Sequence, residues 1–212
     1  MYDRDIRQAL KRFVTSQHPA TLTLDELPLC RRGRADVAAI NSAMWGFEIK
    51  SEHDSLNRLA SQIPSYDLIF DYSTVVAAAC HLEKVRHSVP PHWGIWVPKN
   101  SADGIQFKQI RKPKRNGNIS LEAIARLVWK REAVAILRCQ GREIRADAQV
   151  QLIWNQLCQL NMSVLSQSIR DALKVRRGSE ADSTRMLNDG SSPTEPIPSH
   201  HQIRDLELQL RL

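Results

Sequence analysis

The sequence lacks the features that mark membrane-spanning and secreted proteins. It contains no apolar run of the roughly 18 residues that a transmembrane helix needs. The residues at its start, Met1–Gln8, are charged and carry no apolar stretch, so we expect no secretory signal there. No internal repeat, helix-turn-helix reader, zinc finger or aromatic stacking platform is recognisable. We therefore expect a cytoplasmic protein without a membrane segment.

Cysteine is scarce and scattered. The four residues of this type are Cys30, Cys80, Cys139 and Cys158. No Cys-x-x-Cys pair occurs, and no histidine lies at the spacing typical of zinc ligands. This pattern predicts buried free thiols in a reducing compartment.

Acidic residues are fewer than basic ones, 23 against 30, which gives a net charge of +7. This excess is compatible with a polyanionic partner without requiring one. The densest basic run, Arg111–Arg115, either contacts a phosphate backbone or forms a solvated loop before the next helix. Hydrophobic residues make up 42% of the 212 positions, enough for the core of one domain with extensions.

Two short apolar segments form the most informative part of the chain. Residues 34–41 and 44–51 are rich in valine, isoleucine, phenylalanine and tryptophan, several of which favour β-strands. The polar pair Asn41–Ser42 between them is plausible as a hairpin turn. The sequence therefore predicts two adjacent strands joined by a turn.

The predicted hairpin carries two carboxylates and a lysine. Because side chains alternate along a strand, Glu48 and Lys50 should project from one face, and Ile49 from the other. Asp36 and Glu48, brought together by strand pairing, would form an oxygen-rich site suited to Mg²⁺. A lysine beside a bound metal can hold or deprotonate a water. The alternative is a surface ion pair across the hairpin, which is common and modestly stabilising.

Apolar spacing predicts further helices and strands around the hairpin. In chain order they are a helix at 3–14, a linking segment at 22–28, a helix at 53–71, a buried central strand at 72–80, a strand at 92–97 that ends at Pro98, and an edge strand at 105–110. Pro64 lies inside the second helix and should kink it or loosen its first turns. These elements form an α/β core over residues 1–118.

The character of the chain changes to helix beyond Asn118. Helical periodicity predicts an extension over 119–177 with helices at 120–139, 146–160 and 162–176. Residues 178–212 are predicted to be a disordered tail, because serine, proline, aspartate and glycine dominate much of that stretch. We expect any surface that binds a protein partner or selects a substrate to lie on the helical extension.

The order of these elements resembles the core of the PD-(D/E)XK nuclease superfamily. An acidic loop and a strand with aspartate precede a strand with Glu-x-Lys, and a helix with Gln-x-x-x-Tyr follows directly. Over about residues 5–98, the chain is similar to a small bacterial nuclease-like branch at Glu26–Cys30, Arg34–Asp36, Gly46–Ser51, Asp54, Arg58–Leu59, Gln62, Tyr66 and Trp93–Gly94. The resemblance implies a restriction-endonuclease-like αβββαβ core with a mixed central sheet.

The resemblance also implies a set of metal-binding and catalytic residues. Asp36 and Glu48 would ligate a divalent metal, helped by the backbone carbonyl of Ile49; Mg²⁺ is the expected ion, and Mn²⁺ could substitute. Lys50 would position the attacking water and balance charge in the transition state. Glu26 would supply a further metal or water ligand, unless it is a solvated loop acid.

Four residues are implied as substrate-binding, and each has a structural alternative. Gln62 and Tyr66 would hold the substrate backbone or the catalytic lysine; alternatively, they form a helix-face hydrogen bond with a half-buried ring. Arg34 would contact substrate; alternatively, it is an exposed strand residue or a partner for Glu26 or Glu48. Arg58 would contact phosphate or pair with Asp54 one turn earlier.

The resemblance implies a metal-dependent nuclease that hydrolyses phosphodiester bonds. Double-stranded DNA is the default substrate by family analogy, and RNA and branched DNA remain alternatives. The sequence leaves open whether one or two metals bind and which oligomeric state is adopted. Two other functions remain: a nuclease-fold module that binds nucleic acid or protein without cutting, and an accessory subunit of a mobile-element or defence system that acts through its C-terminal helices.

Overall fold

A mixed sheet of six strands lies at the centre of an α/β fold. The computed structural model describes residues 1–29 and 33–186, with side chains through residue 176. The chain forms two units, Met1–Lys174 and Val175–Leu212, and the sheet belongs to the first. The elements are α1 (Asp3–Gln17), β1 (Leu22–Pro28), β2 (Arg34–Ile40), β3 (Met44–Lys50), α2 (Leu59–Asp67), β4 (Tyr72–Ala77), a 3-10 turn (Ala79–His81), α3 (Leu82–Ser88), β5 (Gly94–Ser101), β6 (Gly104–Arg111), α4 (Leu121–Ala125), α5 (Lys130–Cys139), α6 (Val150–Leu157) and α7 (Met162–Met186).

The strands lie in the sheet in the same order as in the chain. Strands β1, β2 and β3 pair antiparallel, β3, β4 and β5 pair parallel, and β6 returns antiparallel to β5. The parallel connections run through α2 and α3, as parallel pairing requires a crossover. The carboxyl ends of β3 and β4 therefore meet at one edge, where Lys50 pairs with Ala77.

Helices cover both faces of the sheet. On one face α1 contributes Ile6 and Leu10 to a cluster with Val37, Phe47 and Val76. On the other face α2 and the helices after β6 enter a larger cluster. The alternation of side chains along the strands sends neighbouring residues into the two clusters, which explains why the central strands are almost continuously apolar.

The predicted hairpin is confirmed, and so is the central strand, although it ends at Ala77 and not at residue 80 because a 3-10 turn forms at Ala79–His81. Strands β2 and β3 fall within the two predicted apolar segments, and β4 lies between β3 and β5 with five of its six residues buried. The alternating segment at 105–110 forms the edge strand β6. The α/β class is therefore correct.

The prediction of a linking segment at 22–28 is wrong, because these residues form β1. Leu22 and Leu24 pack partly against the core, and Leu27 is buried. Glu26 has a φ of 52°, which interrupts the regular alternation of the strand between Leu24 and Leu27. This break hides the strand pattern in the sequence.

The helix predicted at 53–71 is shorter than expected. The backbone N–H and hydroxyl of Ser51 donate to Asp54 Oδ2 at 2.8 and 2.6 Å, which closes a turn. This local bonding competes with helix formation, and α2 begins only at Leu59. Pro64 lies inside α2, as the sequence indicated.

Two boundaries in the second half of the chain also differ. Strand β5 does not end at Pro98 but continues to Ser101. The residues of β5 that pair with β4 end at Trp96, so Pro98 lies in the part of β5 that pairs with β6. The segment at 120–139 divides into α4 and α5, because Glu132 accepts the N–H of Trp129 at 2.7 Å and starts a new helix.

The prediction of buried thiols is wrong for the three cysteines that lie in the described part of the chain. Cys80 and Cys139 are exposed and Cys158 is only partly buried. Cys80 lies in the 3-10 turn after β4, and Cys139 is the last residue of α5. Cys30 lies outside the described residues.

Helix α7 extends to Met186 and so overlaps the start of the predicted tail. Residues 187–212 lie outside the described part of the chain, and their predicted disorder stays a prediction. Within the described ranges, no helix is long and apolar enough to cross a membrane.

The close packing of β3 against Phe70, in the segment between α2 and β4, makes Gly46 a sensitive position. A Cβ at Gly46 would lie 2.4–2.8 Å from ring atoms of the fully buried Phe70. We expect Gly46→Ala to reduce the free energy of unfolding by about 1–3 kcal/mol, because an overpacked core must shift to relieve the clash. Chemical denaturation of this variant and of Gly117→Ala, whose Cβ would meet nothing within 4 Å, checks this. Equal stability of the two variants would contradict it.

Candidate active site

The site is built where the ladder between β2 and β3 ends. The paired residues run from Ile40 and Met44 to Val37 and Phe47, so the ladder stops just before Asp36. There Asp36 Oδ2 accepts the backbone N–H of β3 residue 49 at 2.7 Å. The aspartate side chain thus binds a strand N–H directly and is fixed against β3.

Four side chains meet on the face of β3 that α2 covers. Lys50 Nζ donates to Glu48 Oε1 at 2.7 Å, as expected for residues two apart on a strand. The same ammonium lies 3.4 Å from Gln62 Oε1. Tyr66 Oη lies 2.7 Å from Glu48 Oε2. The sequence prediction that these residues share one site is therefore consistent with their placement, and Pro64 does not prevent the contact of Gln62.

This cluster is almost fully removed from water. The side chain of Glu48 is 1% exposed and that of Lys50 is 6% exposed. Isolating either charge there would be costly, so each requires the other. The alternative of a surface ion pair does not fit this burial.

The surroundings of Asp36 disfavour the charged form of its carboxyl group. Burial, together with the nearby carboxylate of Glu48, raises the pKa of Asp36 from 3.8 to about 7. The N–H of Ile49 and the guanidinium of Arg7 act in the opposite direction but do not cancel this effect. Two carboxylates that repel each other in this way provide favourable electrostatics for a bound cation.

Tyr66 acts as a neutral hydrogen-bond donor in this arrangement. Burial, reinforced by the Glu48 carboxylate, raises the pKa of its hydroxyl well above the usual value. Its ring packs against the rings of Phe70 and Trp93, both at a centroid distance of 5.2 Å. The hydroxyl is thereby aimed at Glu48.

The remaining predicted residues lie apart from this cluster. Glu26 is exposed, and its carboxylate pairs with Arg34 at 3.1 Å, so both residues are engaged with each other on the β1–β2 hairpin. Arg58 is exposed at the start of α2, and within the described residues it forms no ion pair with Asp54, which is bound to Ser51. The basic run at 111–115 begins at the last residue of β6. That end of β6 pairs with the start of β5, so the run lies at the opposite end of the strands from Lys50.

The sequence analysis missed Arg7. This residue of α1 donates from Nη1 to the backbone carbonyl of Asp36 at 2.6 Å and from Nη2 to Asp3 Oδ2 at 2.9 Å. The i, i+4 spacing of Asp3 and Arg7 indicates a helix-surface pair, but nothing local in the sequence indicates the contact across to β2.

Two carboxylates of the site could serve as ligands for a divalent cation. Asp36 and Glu48 supply hard oxygen ligands, and the carbonyl of Ile49, next to Glu48 on β3, is the backbone donor that the resemblance implies. Among residues 1–29 and 33–186, no group of three or more aspartate, glutamate, histidine or cysteine side chains gathers at metal-binding distance. Glu26 accordingly does not complete a larger ligand set.

The fold and the site define an α/β protein with a buried carboxylate–lysine cluster at the end of paired central strands. The family model of bacteriophage P4 protein cII matches residues 6–194, which is most of the chain. The chain belongs to this family.

Two individual proteins are similar to the chain. Protein cII of Enterobacteria phage P4 is 34% identical over 79 residues, which cover 37% of this chain and 30% of that protein. The alignment thus spans less than a third of the curated relative. The solved structure of SPO1766, a protein of unknown function from Silicibacter pomeroyi, matches with 18% identity and a TM-score of 0.37 over 50% of this chain and 70% of that one.

The raised pKa of Asp36 makes the stability of the fold depend on pH. Because the folded-state pKa of about 7 lies above the ordinary 3.8, the folded protein keeps a proton that the unfolded chain releases. The free energy of unfolding should therefore fall as pH rises between these values. Asp36→Asn removes this dependence. Between pH 4 and pH 7 the free energy of unfolding of this variant should therefore rise relative to that of the wild type by a few kcal/mol, at most about 4. Urea unfolding without divalent ions measures this; parallel pH curves for the two proteins would contradict it.

Proposed function

We propose that this protein is a metal-dependent nuclease with a restriction-endonuclease-like core, which hydrolyses phosphodiester bonds of DNA. The observation that supports this most strongly is the buried Lys50–Glu48 pair beside Asp36, whose pKa is raised to about 7. A charged lysine next to two repelling carboxylates is costly to maintain in a core that needs no catalysis. The arrangement fits a site that binds a cation for catalysis.

In this proposal Asp36 and Glu48, with the carbonyl of Ile49, hold Mg²⁺, and Mn²⁺ can replace it. The bound ion would neutralise charge at the phosphoryl group and lower the pKa of a nearby water. Glu48 remains anchored by Tyr66 at 2.7 Å while one of its oxygens faces Lys50. The tyrosine therefore keeps the carboxylate in place when its partners change.

Lys50 is proposed to position the attacking water and to stabilise negative charge as the phosphodiester bond breaks. Its ammonium has three donors, and the contacts with Glu48 and Gln62 use two of them. The third donor can hold a water or a phosphoryl oxygen. Gln62 thereby orients the lysine and need not touch the substrate itself.

Arg58 is a proposed phosphate contact. It is exposed directly before α2, the helix that carries Gln62 and Tyr66. Arg34 is a further proposed substrate contact, and it is paired with Glu26. The net charge of +7 supports binding to a polyanion of either DNA or RNA type, and DNA is proposed by family analogy.

A second candidate function is an accessory subunit of a mobile element that binds nucleic acid or a partner without cutting. The phage origin of the relative at 34% identity favours this candidate. Exposed apolar side chains on the helices after β6, at Val150, Leu152 and Val164, support a protein contact there. The two candidate functions differ in whether the site binds a metal ion and whether the protein cleaves nucleic acid.

Metal binding and cleavage separate the roles of the site residues. Asp36→Asn and Glu48→Gln should each abolish Mg²⁺ binding in calorimetry and nicking of a supercoiled plasmid, because each removes an anionic ligand. Lys50→Met should keep Mg²⁺ binding, because the cation then compensates the buried Glu48 carboxylate, and lose nicking by about 100-fold or more, because the positioned donor is removed.

Lys11→Met is the matched control, since Lys11 also pairs with an acid, Asp25, but in a more exposed pair between α1 and β1. This variant should bind Mg²⁺ and nick like the wild type. Retained nicking by Lys50→Met would overturn the role of the lysine. A folded wild type with neither Mg²⁺ binding nor nicking would favour the second candidate.

Substitution of Arg58 tests the proposed phosphate contact. Arg58→Gln should weaken DNA binding at every sequence and reduce the slope of log affinity against log salt by about one, because one counterion fewer is released. Fluorescence anisotropy with duplex DNA at several salt concentrations, using Ca²⁺ to suppress cleavage, measures both quantities. Arg145→Gln, which removes an exposed arginine paired with Asp147 on the helical extension, is the control. An unchanged salt slope in Arg58→Gln would exclude the contact.

A further inference from the structure

A side chain from α1 reaches into the site from outside the strand pair. The Arg7 side chain is only 17% exposed. Its Nη1 donates to the Asp36 carbonyl at 2.6 Å, and its Nη2 lies 3.5 Å from Asp36 Oδ1. Asp3 holds the other side of the guanidinium, from Nη2 at 2.9 Å and Nε at 3.2 Å.

We propose that Arg7 is a positioning residue that fixes Asp36 in the orientation needed to bind a divalent cation. It acts through the backbone and carboxylate of Asp36 and does not touch the reacting atoms. The cation part of this inference rests on the proposed nuclease function. The fixing of Asp36 by Arg7 does not, and it can be tested without metal.

The contacts favour positioning over simple charge compensation. The shortest one, at 2.6 Å, is to the Asp36 carbonyl, a neutral backbone group. The distance to Oδ1, 3.5 Å, is longer than a normal hydrogen bond, so this oxygen stays available to a cation. Oδ2 is held by the N–H of Ile49 at 2.7 Å. Arg7 and Ile49 thus hold Asp36 at two points and leave one oxygen available.

The planar guanidinium suits this task better than a lysine would. It presents donors in a fixed fork, and Arg7 uses them toward both Asp36 and Asp3 at once. An ammonium at the same position keeps the charge but cannot span both partners with the same geometry. Arg7→Lys therefore separates position from charge.

The experiment compares Arg7→Met, Arg7→Lys and the control Lys11→Met with the wild type. The first readout is amide hydrogen exchange of Ile49 in the metal-free protein, with the amides of β4 as reference, because the Ile49 N–H is bound by Asp36. The second is the Kd for Mg²⁺ from calorimetry.

In Arg7→Met and Arg7→Lys, we expect the Ile49 amide to exchange about five- to tenfold faster while the β4 amides stay unchanged. We also expect Mg²⁺ to bind about tenfold or more weakly. Lys11→Met should match the wild type in both readouts.

An unchanged exchange rate of the Ile49 amide in both Arg7 variants would overturn the proposal, whatever the Kd for Mg²⁺. Wild-type values in Arg7→Lys alone, or tighter Mg²⁺ binding in Arg7→Met, would assign Arg7 a charge effect and overturn positioning. Faster exchange at Ile49 and β4 together would mark a general structural role and also overturn it. Absence of Mg²⁺ binding by the wild type would refute the proposed nuclease function and leave the exchange result to decide the role of Arg7 alone.

Discussion

The buried ion pair of Lys50 and Glu48 is the constraint on which the rest of the site depends. Two charges at 1% and 6% exposure cannot be left unmatched, and a pair of this kind adds little net stability over apolar residues of the same size. Its surroundings therefore have to supply further polar contacts. Tyr66 and Gln62 supply those contacts from α2, and this requires α2 to lie in one position against β3.

A second polar network holds α2 in that position. Asp67, at the end of the helix, accepts the indole N–H of Trp93 at 2.8 Å and lies 2.9 Å from His92. The side chain of Asn116 donates to the carbonyls of Asp67 and Phe70 at 2.6 and 3.0 Å. These contacts tie the end of α2 to the segments around β5 and β6. The tyrosine hydroxyl reaches Glu48 because both the ring and the end of its helix are fixed.

The sequence predicts the parts of the site that depend on local spacing. The face shared by Glu48 and Lys50 follows from the two-residue period of a strand, and the proximity of Gln62 and Tyr66 from the four-residue spacing on a helix. The contact of Arg7 with Asp36 crosses 29 positions and depends on how α1 lies on the sheet, which no local pattern gives. For Glu26 and Arg34 the sequence left a role at the site and a mutual ion pair as alternatives, and the structure places the Glu26 carboxylate 3.1 Å from the Arg34 guanidinium.

The helices after β6 are part of the core and not an appendix to it. Leu137, Ile153 and Leu165 are fully buried in the same cluster as Tyr66 and Trp93, the residues that support the site. Removing these helices would expose that cluster and disturb the tyrosine that anchors Glu48. Loss of activity on truncation within 119–174 would therefore say nothing about partner binding. Only surface substitutions, such as at Val150 or Leu152, can separate an effect on a partner from an effect on the site.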